Sequence, residues 1–204
     1  MSQSYEHRPV MVDEVTAILG EAPPGPVVDA TVGGGGHARA LLGAHSHLSI
    51  IGIDRDPAAL AAAGDALRAF GNRAVLRRAR FDDMAIVVAG LGHAHVSGVL
   101  FDLGVSSPQL DRPERGFSYR GDGPLDMRMD PDGQLTAADV LNTYDEATLT
   151  RLFSANGERR FARRIARSVV AGRPLASTDD LVEAVKRGVP AAARRTGGHP
   201  AKRV

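Results

Sequence analysis

Four consecutive glycines, Gly33–Gly36, stand between a short apolar run ending in a carboxylate, Val27-Val28-Asp29, and a helix-forming stretch, Ala38–Leu42. A turn without Cβ atoms can adopt positive φ and let a ligand approach the main chain. The amides at the start of the following helix then face that ligand. A strand joined to a helix in this way is the unit of an α/β fold, and the chain repeats it. Leu48–Ile53 is a β-branched strand ending at Asp54, and Asp56 with Pro57 opens a helix that closes at Phe70-Gly71. Ala74–Leu76 is a third, weaker strand before a helix near Asp83–Leu91, and Val96–Phe101 is a fourth that ends at Asp102. Upstream, Val10–Leu19 has helical spacing and stops at Gly20 before the loop Pro23-Pro24-Gly25-Pro26. Alternating strands and helices predict a parallel-rich, Rossmann-like sheet covered on both faces. Ligands of such sheets sit at the carboxyl ends of the strands. Asp29, Asp54 and Asp102 all fall there, along one rim.

The texture changes after Asp102. Residues 103–133 are rich in Gly, Pro, Asp and Arg without a period and read as a long structured loop, of a kind that is often functional. Beyond it the signals are helical. Thr136 and Thr143 each precede an acid by three positions, Asp139 and Glu146, as in a capping box. Ile165, Val169 and Val170 share one face of a segment that also carries Arg163, Arg164 and Arg167, and Ser177-Thr178 open a helix through Leu181, Val182 and Val185 that stops at Gly188 and Pro190. The expected organisation is a Rossmann-like core over residues 1–105 and a mainly helical unit, inserted after the fourth strand, over 106–204.

Composition bounds the function. A chain of 204 residues that is 43% hydrophobic can bury a real core in one large domain, or in one domain and a smaller one. No apolar run approaches the roughly 18–20 residues that cross a bilayer. The polar start with Glu6, His7 and Arg8 does not read as a signal peptide, so a cytoplasmic protein with no membrane partner is expected. The absence of cysteine excludes disulfides, a thiolate nucleophile and Cys-ligated metal, and the seven histidines show no metal constellation. The net charge of +1 conceals an asymmetry: residues 151–204 hold 13 Lys/Arg against 4 Asp/Glu, a net of +9, and residues 1–150 hold 12 against 20, a net of −8. A basic second part suggests a polyanion partner, and solvated helix faces balancing an acidic half are the alternative.

The glycine run also fits the dinucleotide-binding pattern with Ala38 last, so glycines alone do not choose a cofactor. Asp54, 19 residues after Gly35, can accept hydrogen bonds from both hydroxyls of a ribose, in nicotinamide enzymes and methyltransferases alike. The segment Asp102-Leu103-Gly104-Val105-Ser106-Ser107-Pro108-Gln109 separates the two. An exocyclic amine delocalises its lone pair into the base ring and is a poor nucleophile. A carboxylate or carbonyl that accepts its N–H bonds draws the nitrogen toward tetrahedral geometry, and orientation supplies most of the rest. Plain turn chemistry is the other reading of two serines and a proline.

Taken together, His7–Glu14 (HRPVMVDE), Asp29–His37 (DATVGGGGH), Gly52–Pro57 (GIDRDP), Asp102–Asp111 (DLGVSSPQLD), Arg115–Asp130 (RGFSYRGDGPLDMRMD), Gly157–Ile165 (GERRFARRI) and His199–Arg203 (HPAKR) resemble the MraW-type family of 16S ribosomal RNA (cytosine-N4)-methyltransferases. The likeness covers nearly the whole chain, and the run from Asp102 to Asp130 is its most specific part. The resemblance implies a class I methyltransferase core interrupted by a helical domain. It also implies methyl transfer from S-adenosyl-L-methionine to N4 of a cytidine in 16S ribosomal RNA or the small ribosomal subunit. Carried over by motif, Gly35, Gly36 and His37 would contact the methionine end, Asp54 the ribose and Phe81 the adenine. Asp102 and Gln109 would lie at and beyond the fourth strand end, with Asp102 the candidate catalytic residue, orienting the amine. The family's chain continues past HPAKR with a further strand-rich stretch, so this chain, with four strands, reads as C-terminally truncated. Oligomeric state stays open, a dimer included. Two other readings remain: a nicotinamide-dependent oxidoreductase, which leaves Asp102–Asp130 unexplained, and a non-catalytic fragment whose basic helices, Arg159–Arg173 and Arg187–Arg203, grip RNA phosphates.

Overall fold

The computed structural model describes residues 9–196 and 199–203, so Glu6, His7 and Arg8 of the N-terminal segment lie outside the described residues, as do Gly197, Gly198 and Val204. The chain forms two compact units, residues 1–104 and 105–204.

The first unit runs α1 (Val12–Gly20), β1 (Gly25–Asp29), α2 (Gly36–Ala44), β2 (Leu48–Asp54), α3 (Pro57–Leu67), β3 (Ala74–Arg78), α4 (Met84–Gly90) and β4 (Gly98–Leu100). The four strands are parallel in the order β3-β2-β1-β4. Side chains alternate across a strand, and here each alternate set finds its own helices. Val27, Leu48 and Ile50 pack with Ala38, Leu41 and Leu42 of α2 and Ala63 and Leu67 of α3. Val28, Ala30, Ile51 and Ile53 face the other way, onto Met84, Val87 and Val88 of α4 and Leu91 beyond it. These near-continuous apolar strands are what a sheet covered on both faces demands. Asp56 caps α3 by accepting the Ala58 N–H at 2.9 Å, with Pro57 in the first turn. The fourth strand is shorter than its sequence suggests. Its ladder follows β1 only as far as Asp29↔Leu100, because β1 then turns into the glycine loop. Phe101 and Asp102 consequently leave the sheet.

The second unit holds α5 (Ser107–Asp111), α6 (Ala137–Thr143), α7 (Glu146–Ala155), α8 (Ala162–Ala171), α9 (Thr178–Gly188) and α10 (Ala191–Thr196). Its core joins Leu141, Leu149, Phe153, Ile165, Val169, Leu175 and Val185, with α8 packed against both α7 and α9. Thr136 with Asp139 and Ser177 with Asp180 form reciprocal capping boxes at α6 and α9. Thr143 does not cap α7 as its spacing to Glu146 suggests. It is the last residue of α6, its hydroxyl donates to Asp139 O at 2.6 Å, and Asp145 caps α7 by accepting the Thr148 N–H. A carboxylate directly before the helix outcompetes a hydroxyl that can turn back on its own helix.

The long segment 103–133 contains α5 and a short 3-10 turn, Pro113–Arg115, and is otherwise held by side-chain bonds to main chain. Arg115 donates to Arg128 O and Met129 O, and Arg128 grips the Asp126 carboxylate in a two-pronged pair at 3.0 and 2.6 Å. Thr178, at the start of α9, donates to Gly121 O at 2.9 Å and accepts the Gly123 N–H at 3.0 Å. The absence of a period thus reflects irregular backbone stitched in place.

Helices α8 and α9 meet so closely that a Cβ on Gly188 would lie 2.7 Å from Ile165 Cα. Alanine adds about 1 kcal/mol of helix propensity in a helix interior, but a methyl forced against backbone costs typically about 1–3 kcal/mol. Gly188 is the last residue of α9, where the propensity gain is smallest. Gly188→Ala is therefore expected to lower the unfolding midpoint in thermal or urea denaturation. An unchanged or raised midpoint would contradict the close approach of the two helices.

Candidate functional site

The strand order reverses beside β1: β2 and β3 lie to one side and β4 to the other. At such a switch point the loops leaving neighbouring strands diverge and open a crevice at the carboxyl ends. Asp29 pairs with Gly52 on β2 and with Leu100 on β4. Asp54 and Asp102, each two residues further along, therefore stand level with Thr31 on either side of it.

The glycine turn begins here. Gly33 and Gly35 have φ of +51° and +81°, a region that residues with a Cβ seldom enter. The four glycines have different reasons to be glycine. A Cβ on Gly35 would come within 3.2 Å of Ala63 Cα in α3, and one on Gly36 within 2.4 Å of the Pro9 ring. A Cβ on Gly34 would meet nothing within 4 Å, so the open side of the turn is at Gly34. His37 is buried, and its Nε2 donates to Val10 O at 2.8 Å, tying the start of α2 to the segment before α1.

Asp54 organises the turn. One carboxylate oxygen accepts the Gly33 N–H at 3.0 Å and the other the Asp56 N–H at 2.9 Å, bridging the loop after β1 to the start of α3. Across the crevice, the Asp102 N–H donates to Thr31 Oγ1 at 2.7 Å. The same threonine thus locks the chain leaving β4 to the chain leaving β1. Asp102 itself is exposed. Phe81 follows β3, where the Ala79 N–H donates to Asp54 O at 3.1 Å. Its half-exposed ring meets Phe101 edge to face, centroids 6.0 Å apart.

Six of the seven residues singled out from sequence, Gly35, Gly36, His37, Asp54, Phe81 and Asp102, thus belong to one unit and lie on or next to the loops leaving its strands. Gln109 belongs to the second unit. There its side-chain oxygen accepts the Ser106 N–H at 3.0 Å in a capping box that starts α5. The same S-x-x-Q signature is visible in the sequence. Thr31 and Phe101 went unnoticed there. A threonine at a strand end carries no signal by itself, and Phe101 reads as strand interior until the ladder is seen to stop at Leu100. Among the described residues no group of His, Asp or Glu is arranged to hold a metal ion, and no helix is long and apolar enough to cross a membrane.

Asp29 lies behind this rim, 2% exposed. Burial pushes its carboxyl up to about 6; the Thr31 N–H and His37 pull it back, and the charges of Asp102 and Asp54 push it further up. A carboxyl raised above its unfolded value of 3.8 favours folding while protonated, so its contribution is full below about pH 4 and is lost as pH rises through about 6. The loss is on the order of 3 kcal/mol. Asp29→Asn, which keeps the acceptor for Thr31, should remove it. Urea unfolding across pH 4–7.5 is expected to show the variant gaining on the parent as pH rises, and parallel curves would contradict the shift.

A family model, the MraW methylase family, matches residues 4–204. The proteins named ribosomal RNA small subunit methyltransferase H are similar to this chain. That of Mycobacterium sp. strain KMS is 54% identical over 208 residues, 98% of this chain and 56% of that protein. That of Frankia alni is 55% identical over 204 residues, 97% of this chain and 63% of that protein. That of Thermobifida fusca is 50% identical over 208 residues, 99% and 63%. This chain therefore spans roughly 56–63% of the length of these relatives. With its match running from residue 4 to residue 204, the chain belongs to the MraW methylase family.

Proposed function

We propose that this chain is the cofactor-binding portion of an S-adenosyl-L-methionine-dependent enzyme that methylates the N4 amine of a cytidine in 16S ribosomal RNA. In this reading residues 1–105 form the cofactor core and 106–204 a helical substrate-recognition domain inserted into it, working in the cytoplasm. The observation that carries the reading is the glycine turn itself: its open side at Gly34 sits beside an acid, Asp54, already hydrogen-bonded to that turn, in a chain of this family.

The residues fit the donor. The Asp54 carboxylate offers about four lone-pair sites and uses two on main chain, which leaves an acceptor on each oxygen for vicinal ribose hydroxyls. The Phe81–Phe101 pair presents an apolar aromatic surface suited to a flat heterocycle. The Gly34–Gly36 turn, at the N-terminus of α2, suits the methionine carboxylate. When bound, S-adenosylmethionine would supply an electrophilic methyl carbon to the amine nitrogen, with its sulfur as the leaving group. Asp102, anchored through its own N–H to Thr31, would accept a hydrogen bond from the amine and orient its lone pair. The proton that the amine loses on methylation would go to water. A binding-only fragment is the second reading, favoured by the share of the relatives' length that this chain spans.

Calorimetric titration should show S-adenosylmethionine binding and no nicotinamide dinucleotide binding; the reverse result would overturn the proposal. Asp54→Asn, which replaces one acceptor by a donor facing the turn, is expected to weaken binding by about 10- to 100-fold. With small ribosomal subunits and radiolabelled donor, Asp102→Ala should reduce transfer by more than it reduces cofactor affinity. Cofactor uptake with no transfer by the unaltered chain would select the binding-only reading.

A further inference from the structure

Helix α8 has two faces of opposite character. Ala162, Ile165, Ala166 and Val169 are 0–2% exposed and fill the core between α7 and α9. On the opposite side of the helix Arg163, Arg164 and Arg167 are exposed, with Arg163 and Arg167 one turn apart. Arg159 and Arg160, in the turn before α8, are also exposed, and the Arg160 guanidinium lies over the Phe161 ring, 5.0 Å from its centroid. A merely solvated helix face mixes both signs; this one carries arginine alone. The acid of the same stretch, Glu158, is turned inward, 4% exposed, accepting the Phe161 N–H at 2.8 Å. From the neighbouring helix Glu146 reaches Arg163 at 3.7 Å and Arg167 at 3.5 Å, so one carboxylate serves two guanidiniums. Arg159 and Arg164 have no ion-pair partner among the described residues.

We propose that this face of α8 is a binding surface for the phosphate backbone of RNA. Arginine suits it, because the planar guanidinium grips phosphate oxygens in pairs and stays charged. The buried face fixes α8 in place, so the stripe is presented without ordering a loop. From Arg163 to Arg167 the helical part spans roughly 6 Å along the axis, short enough for its guanidiniums to meet neighbouring phosphates of one strand. It also lies in the part of the chain with the net charge of +9, to which a polyanion is drawn. RNA is chosen over other polyanions on the strength of the function proposed above, and the inference rests on that reading to this extent.

The test uses the full chain and a defined stem-loop RNA, with affinity measured over a range of salt. A triple variant, Arg163→Gln with Arg164→Gln and Arg167→Gln, is compared with Arg187→Gln, Arg194→Gln and Arg195→Gln, which removes the same charge elsewhere in the unit. For each α8 arginine that meets a phosphate, the slope of log K against log salt should fall by about 0.7–0.9, and affinity at 0.1 M salt by about 5- to 8-fold. The control triple should lose much less. Glu146→Gln, which frees Arg163 and Arg167, should tighten binding. Equal losses in the two triples, or none in the α8 triple, would overturn the proposal, as would an α8 dependence seen with phosphatidylserine vesicles but not with RNA. Cofactor titration of the same proteins separates the two readings. Donor binding with no α8 effect on RNA sinks the surface alone; an α8 effect on RNA without donor binding sinks the enzyme assignment alone.

Discussion

A turn made of four glycines has no side chains with which to hold its own shape, so its conformation is imposed from outside. Asp54 does most of this. By accepting the Gly33 and Asp56 N–H groups on separate oxygens, it joins the end of β1 to the start of α3. The packing of Pro9 over Gly36 and of Ala63 over Gly35 closes the turn from two further sides. Only Gly34 is left open. Removing the carboxylate would strand two main-chain donors and release the one segment on which access to the crevice depends. Thr31 plays the corresponding part on the other bank, because its hydroxyl replaces the ladder bond that Asp102 loses when β4 stops at Leu100.

The same arrangement explains the acid behind the rim. Asp29 occupies a core-facing position of β1 on the side of Val27, where alternation would place an apolar residue. Desolvation raises its carboxyl, and Asp54 and Asp102 raise it further because three negative charges at adjacent strand ends repel. The first unit therefore carries an internal electrostatic tension at neutral pH, only partly relieved by the Thr31 N–H and by His37. A cationic ligand at the rim would relieve more of it.

How much of this was legible in the sequence follows from which forces act locally. The alternation of strands and helices, the Asp56 cap and the three strand-end acids depend on short-range chemistry and on the apolar period, and all are visible in the chain. Thr143 and Asp145 offer two competing capping signals within three residues; the carboxylate directly before α7 takes the cap, and the Thr143 hydroxyl turns back onto Asp139 O. Gly36 looks like a ligand-facing glycine in sequence, and Pro9, 27 positions away, gives it a steric reason to lack a side chain that the sequence does not show. Thr31 could not be found at all, since its partner is 71 residues distant and the bond exists only where the ladder ends. Gln109 carries a local signature, S-x-x-Q, which was overshadowed by the motif in which it is embedded.

Charge shows the same limit from another side. The excess of 13 basic residues over 4 acidic ones in 151–204 describes a potential and does not say which cations can meet a partner. Arg173 is spent on structure, donating to Leu141 O at 2.8 Å and to Tyr144 O, and so holds the end of α6 to the chain after α8. Arg128 and Arg115 do comparable work in the long loop. An arginine tied to buried carbonyls is part of the fold, and neutralising it would lower stability before it altered any affinity. The α8 arginines differ because their helix is already anchored by its apolar face, which leaves the guanidiniums with little structural work. The division is made by helical period: with 3.6 residues per turn, an apolar set at 162, 165, 166 and 169 leaves 163, 164 and 167 to solvent.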